Sequence, residues 1–363
     1  ASVTDEQLAS GEVAYSLNKG NDAPVWMQDL GTDPQPTLQG DKVVYANGSL
    51  NCDGTPKGDL TYSNTNEGLT QDAHQFDQEL GVCAVCGQFE QDADGYVLVR
   101  SGKALRLVAE RVNGGQTEMN LRFTADLDLS GEAWTPIGND SQIFRGNVDG
   151  QGHTISGMTV DWNEPGAGLF GTVASGTFSD FVIDASCAVT GVKYSGGLIG
   201  HSYGTGVVNI VRVGVECNVT CNGEAAAGLI GNANAGSVCN ITSCYTTGEI
   251  SSIQDAAAFS GWEGNVGATI RDSWSIAVVT NYQDDAHYLA RYGGLTLTNC
   301  FCPFGTQGTH IEAEDAESGR LAWLLNGGKL SGALWQQTVG EDPHPVIDAS
   351  QGIVYKAGHT YES

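Results

Sequence analysis

The chain has 363 residues, fifty of them glycine, and carries 43 acidic against 16 basic side chains, a formal charge of −27. So acidic a surface repels nucleic-acid phosphates and anionic lipid and excludes both as natural partners. No run of eighteen apolar residues occurs, so no helical membrane insertion is expected, and abundant Gly, Ser, Thr and Asn favour turn-rich β structure over helical bundles.

Residues 1–46 begin without the basic and apolar segments of a signal peptide, which is expected to have been removed or to lie outside this sequence. Ser10-Gly11-Glu12-Val13-Ala14-Tyr15-Ser16-Leu17-Asn18 predicts a short one-sided helix that ends at Asn, followed by a strand with Trp26 and a Pro34-x-Pro36 turn. The same order returns as Ser318-Gly319-Arg320-Leu321-Ala322-Trp323-Leu324-Leu325-Asn326, then Trp335, Gln337, Gly340, Asp342, Pro343 and Pro345, at an offset that drifts only from 308 to 310. We read both copies as small α/β modules that cap an open solenoid end, where strand edges would otherwise be bare. Residues 312–363 supply the C-terminal cap of this chain, which makes the copy at 1–46 surplus. That copy is expected to pack on its own solenoid, to stay loosely ordered, or to dock head to tail on a neighbouring molecule.

Residues 47–100 are polar and loop-rich. Cys83-Ala84-Val85-Cys86, followed by Gly87, has the spacing of a metal knuckle, with His74 nine residues upstream and Cys52 further back. Three thiolates and an imidazole suit a tetrahedral structural Zn2+, and a segment with so little core gains its shape from such a site. A disulfide between two of these cysteines, or unligated thiols, account for the same residues. No thioredoxin-like βαβ pattern surrounds the pair, which speaks against a redox role. Asp92-Ala93-Asp94-Gly95 lacks the twelfth-position carboxylate of a calcium loop and reads as an acidic turn. The sequons at Asn47, Asn218 and Asn240 read as coincidence among Asn-rich turns.

Residues 101–311 are predicted to form an N-capping helix and a parallel β-helix. Ser101 is the expected N-cap, with Ala104, Leu105, Val108 and Val112 as one apolar stripe and Asn113-Gly114-Gly115 as the stop. Beyond it a motif returns about every thirty residues: Gly168-Leu169-Phe170-Gly171, Gly197-Leu198-Ile199-Gly200 and Gly228-Leu229-Ile230-Gly231. Degenerate copies follow at Ala258-Phe259-Ser260-Gly261 and Tyr288-Leu289-Ala290-Arg291. Each period also holds a second short β-prone run, such as Thr177–Ile183 or Val208–Val213, with no room for a crossover helix. That is the pattern of stacked coils, with Leu169, Leu198, Leu229 and Phe259 at one inward position. Glycine recurs either for positive φ or for a backbone that approaches with no Cβ. Cys217, Cys221, Cys239, Cys244, Cys300 and Cys302 suit stacked core thiols, and Cys187 and Cys217, one period apart, could stack or pair.

The run Asp126-Leu127-Asp128-Leu129-Ser130-Gly131, Trp134-Thr135-Pro136-Ile137-Gly138, Phe144–Ile155 and Gly168-Leu169-Phe170-Gly171 resembles the start of GLUG-motif domains of large bacterial surface and secreted proteins, over about residues 100–310. The resemblance implies an all-β fold, a right-handed parallel β-helix of the pectin-lyase-like type, an extracellular or cell-surface location and tandem arrays. It also implies stalk or display roles in adhesins and surface peptidases, and it carries over no catalytic residue. The terminal modules and the segment around Cys83 resemble elements found beside such domains.

A β-helix enzyme would set paired carboxylates, or a carboxylate with a base, on one face. Asp126, Asp128, Asp149 and His153 lie in stretches with a structural account, while Asp272, Asp284, Asp285 and His287 have none but lack a basic residue at fixed spacing. The expected function is therefore a non-enzymatic extracellular module: adhesin, stalk or building block, with a host-surface or bacterial glycan or protein as partner. A self-assembling filament subunit and a carbohydrate-active enzyme are the alternatives.

Overall fold

The computed structural model describes residues 2–234, 236–263, 269–283, 289–291, 295–303, 307–347 and 352–363. The chain divides into two compact units, Ala1–Asp77 with Val82–Glu90, and Gln78–Gly81 with Gln91–Ser363.

In the larger unit the thirty-residue repeat becomes a parallel β-solenoid of about six turns. The central coils contribute to each of three parallel sheets. The sequence Phe170–Val173, Gly176–Ile183 and Ala188–Gly196 makes one coil, and Ile199–Ser202, Val207–Val215 and Asn218–Ala227 make the next. Every strand pairs with its counterpart one coil on, as Ile199 does with both Phe170 and Ile230. The repeat thus becomes an in-register ladder. Leu169, Leu198, Leu229, Phe259 and Leu289 occupy the same position of successive coils and are all fully buried. Their backbones are linked through Phe170 N to Leu198 O, Ile199 N to Leu229 O, Ile230 N to Phe259 O, and Phe259 N to Leu289 O. Tyr288, the first residue of the last degenerate copy, lies outside the described residues.

The structure decides why glycine closes each motif. A Cβ on Gly171 would come within 2.2 Å of Gly138 O, and one on Gly200 within 2.4 Å of the Gly166 carbonyl carbon. Close approach, not positive φ, is the constraint at these positions. Positive φ falls elsewhere, on other glycines and on a set of residues that are not glycine. Asp180, Arg212, Ser243, Asp272 and Asn299 have φ of 63, 54, 55, 51 and 52°. The strand registers put them at one position of successive coils. Each left-handed residue costs on the order of 1 kcal/mol, so a bend repeated in every coil is offset by stacking. Arg212 binds Asp180 through two N–H···O bonds of 2.5 and 2.7 Å, and Asn299 Nδ2 donates to Asp272 Oδ1 at 2.8 Å.

The parallel sheet starts earlier than the motif suggests, because Val97–Val99 pairs with Leu121–Phe123 ahead of the first full coil. The helix Gly102–Asn113 starts at Ser101, whose Oγ accepts Ala104 N at 3.0 Å. It is fastened to the first coil by Arg106, which donates to the carbonyls of Leu129, Glu132 and Ala133. At the far end, helices Ala313–Glu317 and Arg320–Leu325 and the segment after them pack on the last coils through Leu321, Leu325 and Trp335 against Tyr245, Trp274 and Phe301. Among the described residues no disulfide links any of the ten cysteines, Cys187 and Cys217 included.

The smaller unit holds helices Asp5–Ser10 and Glu12–Asn18 and a sheet in which Tyr45–Leu50 pairs antiparallel with Thr61–Ser63 and parallel with Leu69–Gln71. Residues 1–46 therefore belong to this smaller unit. Asn64 fixes them to this sheet, donating to Gln28 O and Val43 O and accepting Leu30 N at 2.9 Å. Asn47 of the first sequon is buried, and its side chain bonds Ser63, Thr65, Glu67 and Gly68.

If the Leu column carries the solenoid, Leu229→Ala should cost about 2–5 kcal/mol in chemical denaturation. Val278→Ala, at a side chain 61% exposed, should stay within about 0.5 kcal/mol of the parent.

Candidate metal centre

Four potential ligands converge in the smaller unit. The parallel register that sets Leu50 beside Gln71 carries Cys52, two residues on, to His74, three residues on. Gln71 Nε2 donates to Cys52 O at 2.8 Å and pins the turn. The other two ligands come from a tight hairpin closed by the Val82–Phe89 and Phe76–Cys83 bridges. Within it Gly87 N donates to Cys83 O at 2.8 Å and Cys83 N to Gln88 O at 2.9 Å. Gly87 sits at φ 71°, where a side chain would be strained.

The three Sγ atoms and the imidazole nitrogen all lie within 4.8 Å of one another. Cys52 Sγ is 3.5 Å from Cys83 Sγ, and Cys86 Sγ is 3.4 Å from His74 Nδ1. With metal–sulfur bonds near 2.3 Å, the edge of a tetrahedron is about 3.8 Å, so these two pairs already stand within a few tenths of an ångström of it. A disulfide needs sulfurs at about 2.05 Å, far closer than Cys52 and Cys83 stand. Cys52 and Cys83 are buried and Cys86 and His74 half-buried, as befits a closed site.

The electrostatics suit a cation. Backbone N–H groups of Cys86 and Val85 point at the Cys83 sulfur and, with His74 and Gln75, hold its pKa down to about 5. Burial pushes Cys52 up to about 12, and the neighbouring Cys83 and Cys86 thiols add to the rise. One sulfur is thus ready to bind as thiolate while another resists a second negative charge. A positive ion between them removes that conflict. This group could hold a metal ion.

The other sequence-flagged acids are otherwise engaged. Asp126 Oδ1 accepts Thr154 N at 2.9 Å and meets His153 Nδ1 at 3.2 Å. Asp128 Oδ1 accepts Ser130 N, and Asp149 Oδ2 accepts Arg122 Nε at 3.1 Å. Arg122 also pairs with Asp92 and lies 4.4 Å over the Tyr96 ring, so the Asp92–Gly95 turn is tied by a side-chain cation. Asp284, Asp285 and His287 lie outside the described residues.

One feature escaped the sequence reading. A cleft of about 570 Å³ runs between the bent face of the coils and the C-terminal module, lined by Gln151, Thr154, Asp180, Arg212, Tyr245 and Asp342. Below it Tyr245 Oη donates to Glu216 Oε1 at 2.7 Å, with His344 Nε2 3.4 Å from the same oxygen. The spacing of Asp180 and Arg212, one coil apart at one position, was the available signal.

No family model matches the chain. It is 35% identical over 130 residues to halomucin of Haloquadratum walsbyi, a match over 32% of this chain and 1% of that protein. The chain thus corresponds to about 1% of the length of this curated relative. The crystal structure of a Bacteroides ovatus protein provisionally described as an immunoglobulin A1 protease superposes with a TM-score of 0.53. That likeness covers 71% of this chain and 94% of the other at 15% identity, and it concerns the fold alone.

In metal-free protein, thiolate absorbance near 240 nm should show one group ionising at about pH 5, and Cys83→Ser should abolish that step. Because this pKa is depressed from 9.0, its stabilising contribution is complete above about pH 9, shrinks as pH falls, and is gone below about pH 5. Denaturation midpoints of parent and Cys83→Ser chains across that range check the sign.

Proposed function

We propose that the chain is a non-enzymatic, extracellular or cell-surface β-helix module of a bacterial protein, serving as stalk, adhesin or display element, with a structural Zn2+ in its smaller unit. The observation that carries the reading is how the candidate acids are used. Thr154 N–H and His153 hold the Asp126 carboxyl below its usual range, and Ser130 does the same for Asp128. Both serve as turn-holding acceptors kept ionised, the reverse of the raised pKa a general acid needs. The GLUG-like run favours a surface role, and the 35% match to a small stretch of a far longer protein favours a module within a long polypeptide. The cleft beside Asp180 and Arg212 is the surface we favour for a glycan or protein partner.

Zinc fits the donors better than calcium or magnesium, because three sulfurs and an imidazole are soft ligands with no carboxylate among them. Bound there, it would cross-link Cys52 and His74 to the Cys83–Cys86 hairpin across a unit with few buried apolar side chains.

Elemental analysis of protein purified without chelator should find one zinc per chain. Chelation should remove a low-temperature unfolding step and leave the solenoid transition in place, and absence of zinc would sink the metal assignment. Catalysis is checked separately, by following unsaturated-product absorbance and new reducing ends on acidic and neutral polysaccharides. No turnover is expected; turnover abolished by Asp149→Asn would overturn the non-enzymatic reading.

A further inference from the structure

The two terminal modules are the same structure, bond for bond. In the first, Asn18 accepts Val25 N and Trp26 N and donates to Trp26 O. In the second, Asn326 accepts Leu334 N and Trp335 N and donates to Trp335 O. Gln28 Nε2 bonds Leu8 O and Asp33 O, and Gln337 Nε2 bonds Ala316 O and Asp342 O. Asp33 caps Asp29 N as Asp342 caps Thr338 N. Gly11 and Gly319 make the same left-handed junction between paired helices, at φ 89 and 82°.

Their interiors match, but their outward faces do not. Ala14 and Ala322 are both fully buried, as are Gln28 and Gln337 to within 1%. On the outward face, Leu321, Leu325 and Trp335 are buried against the solenoid end. Their counterparts Val13 and Trp26 are only half-covered and Leu17 is 44% exposed. Leu38, the counterpart of the half-buried Ile347, is 63% exposed. A module built for one seat thus leaves that face open at the other end of the chain.

The C-terminal copy shows what the face fits. Trp335 meets Tyr245 and Trp274 edge to face, at 6.3 and 6.1 Å between ring centroids. Asn299 Nδ2 of the last coil donates to Leu325 O at 3.0 Å. Among the described residues the equivalent Leu17 carbonyl is met from within its own module, by Asn21 Nδ2 at 3.1 Å.

We propose that the N-terminal face centred on Leu17 and Trp26 docks on the last coils of another parallel β-helix, one whose aromatic end is not covered by a module of its own. An intact second copy of this chain does not qualify, because residues 312–363 already fill its seat. The inference is independent of the metal centre and of the cleft beside Asp180 and Arg212.

The full-length chain supplies both halves of the test. Leu321→Asp puts a charge into the buried seat, releases the C-terminal module and bares the aromatic end. That variant is expected to form open-ended oligomers whose mass in light scattering grows with concentration, while the parent stays monomeric. Adding Leu17→Asp and Trp26→Asp should return it to a monomer. A monomeric Leu321→Asp chain with an intact β-helix by circular dichroism, or oligomers that survive the added substitutions, would refute the docking. Self-association of the parent through Leu17 would make an intact second copy the occupant and overturn the requirement for a bare end. A second readout does not depend on the fate of Leu321→Asp. In the otherwise native chain, Leu17→Asp should leave Tm unchanged and its counterpart Leu325→Asp should lower it by several degrees. Equal losses would mean that the N-terminal face is already packed, and the proposal fails.

Discussion

Everything in the larger unit depends on coils approaching each other at the spacing of a hydrogen-bonded ladder, about 4.8 Å. Where strands turn inward, a single methyl group is too much, as the 2.2 Å clearance at Gly171 shows. Once the backbone is held at that distance, the remaining features follow. Identical positions stack, one inward column becomes continuous core, and a bend adopted in one coil must be adopted in the next. The left-handed residues from Asp180 to Asn299 are the result: a locally unfavourable conformation kept because the ladder would lose register without it. The bend also faces charged side chains along one edge, where Arg212 and Asp180 meet.

The smaller unit solves its problem by other means. It has short strands and few buried apolar groups. Its order comes from polar side chains that bridge distant backbone: Asn47 across the sheet, Asn64 to the N-terminal module, Gln71 to the Cys52 turn. Such bridges fix direction but add little net stability each. A cation shared by Cys52, His74, Cys83 and Cys86 would draw three segments together at once.

Much of this was legible from residues alone, for stated reasons. Stacking copies a side chain's environment from coil to coil, so the period of Leu169, Leu198 and Leu229 is printed directly in the sequence. The clustering of Cys52, His74, Cys83 and Cys86 was legible because knuckle spacing is dictated by the turn that holds two sulfurs. The early start of the parallel sheet at Val97 was not, since a three-residue strand leaves no period to detect. Neither was the column of left-handed bends: its members are Asp, Arg, Ser and Asn, chosen for conformation, and they share no chemistry that a pattern search would notice. The two modules were recognisable as one design, but which of their faces was covered depended on the neighbours each met in space.

The coil cysteines bear on how such a chain matures. Burial lifts the Cys187 and Cys244 thiols to about 12 and Cys300 to about 11, and drives Cys217 higher still. At neutral pH almost none of these sulfurs is ionised, and only the thiolate attacks a disulfide. These four thiols are therefore poor nucleophiles in the folded coils and slow to form disulfides. The hazard is confined to the interval before the coils close, when the same sulfurs are exposed with ordinary acidity. Coil-by-coil zippering, open to a fold in which each repeat packs on its neighbours, would shorten that interval.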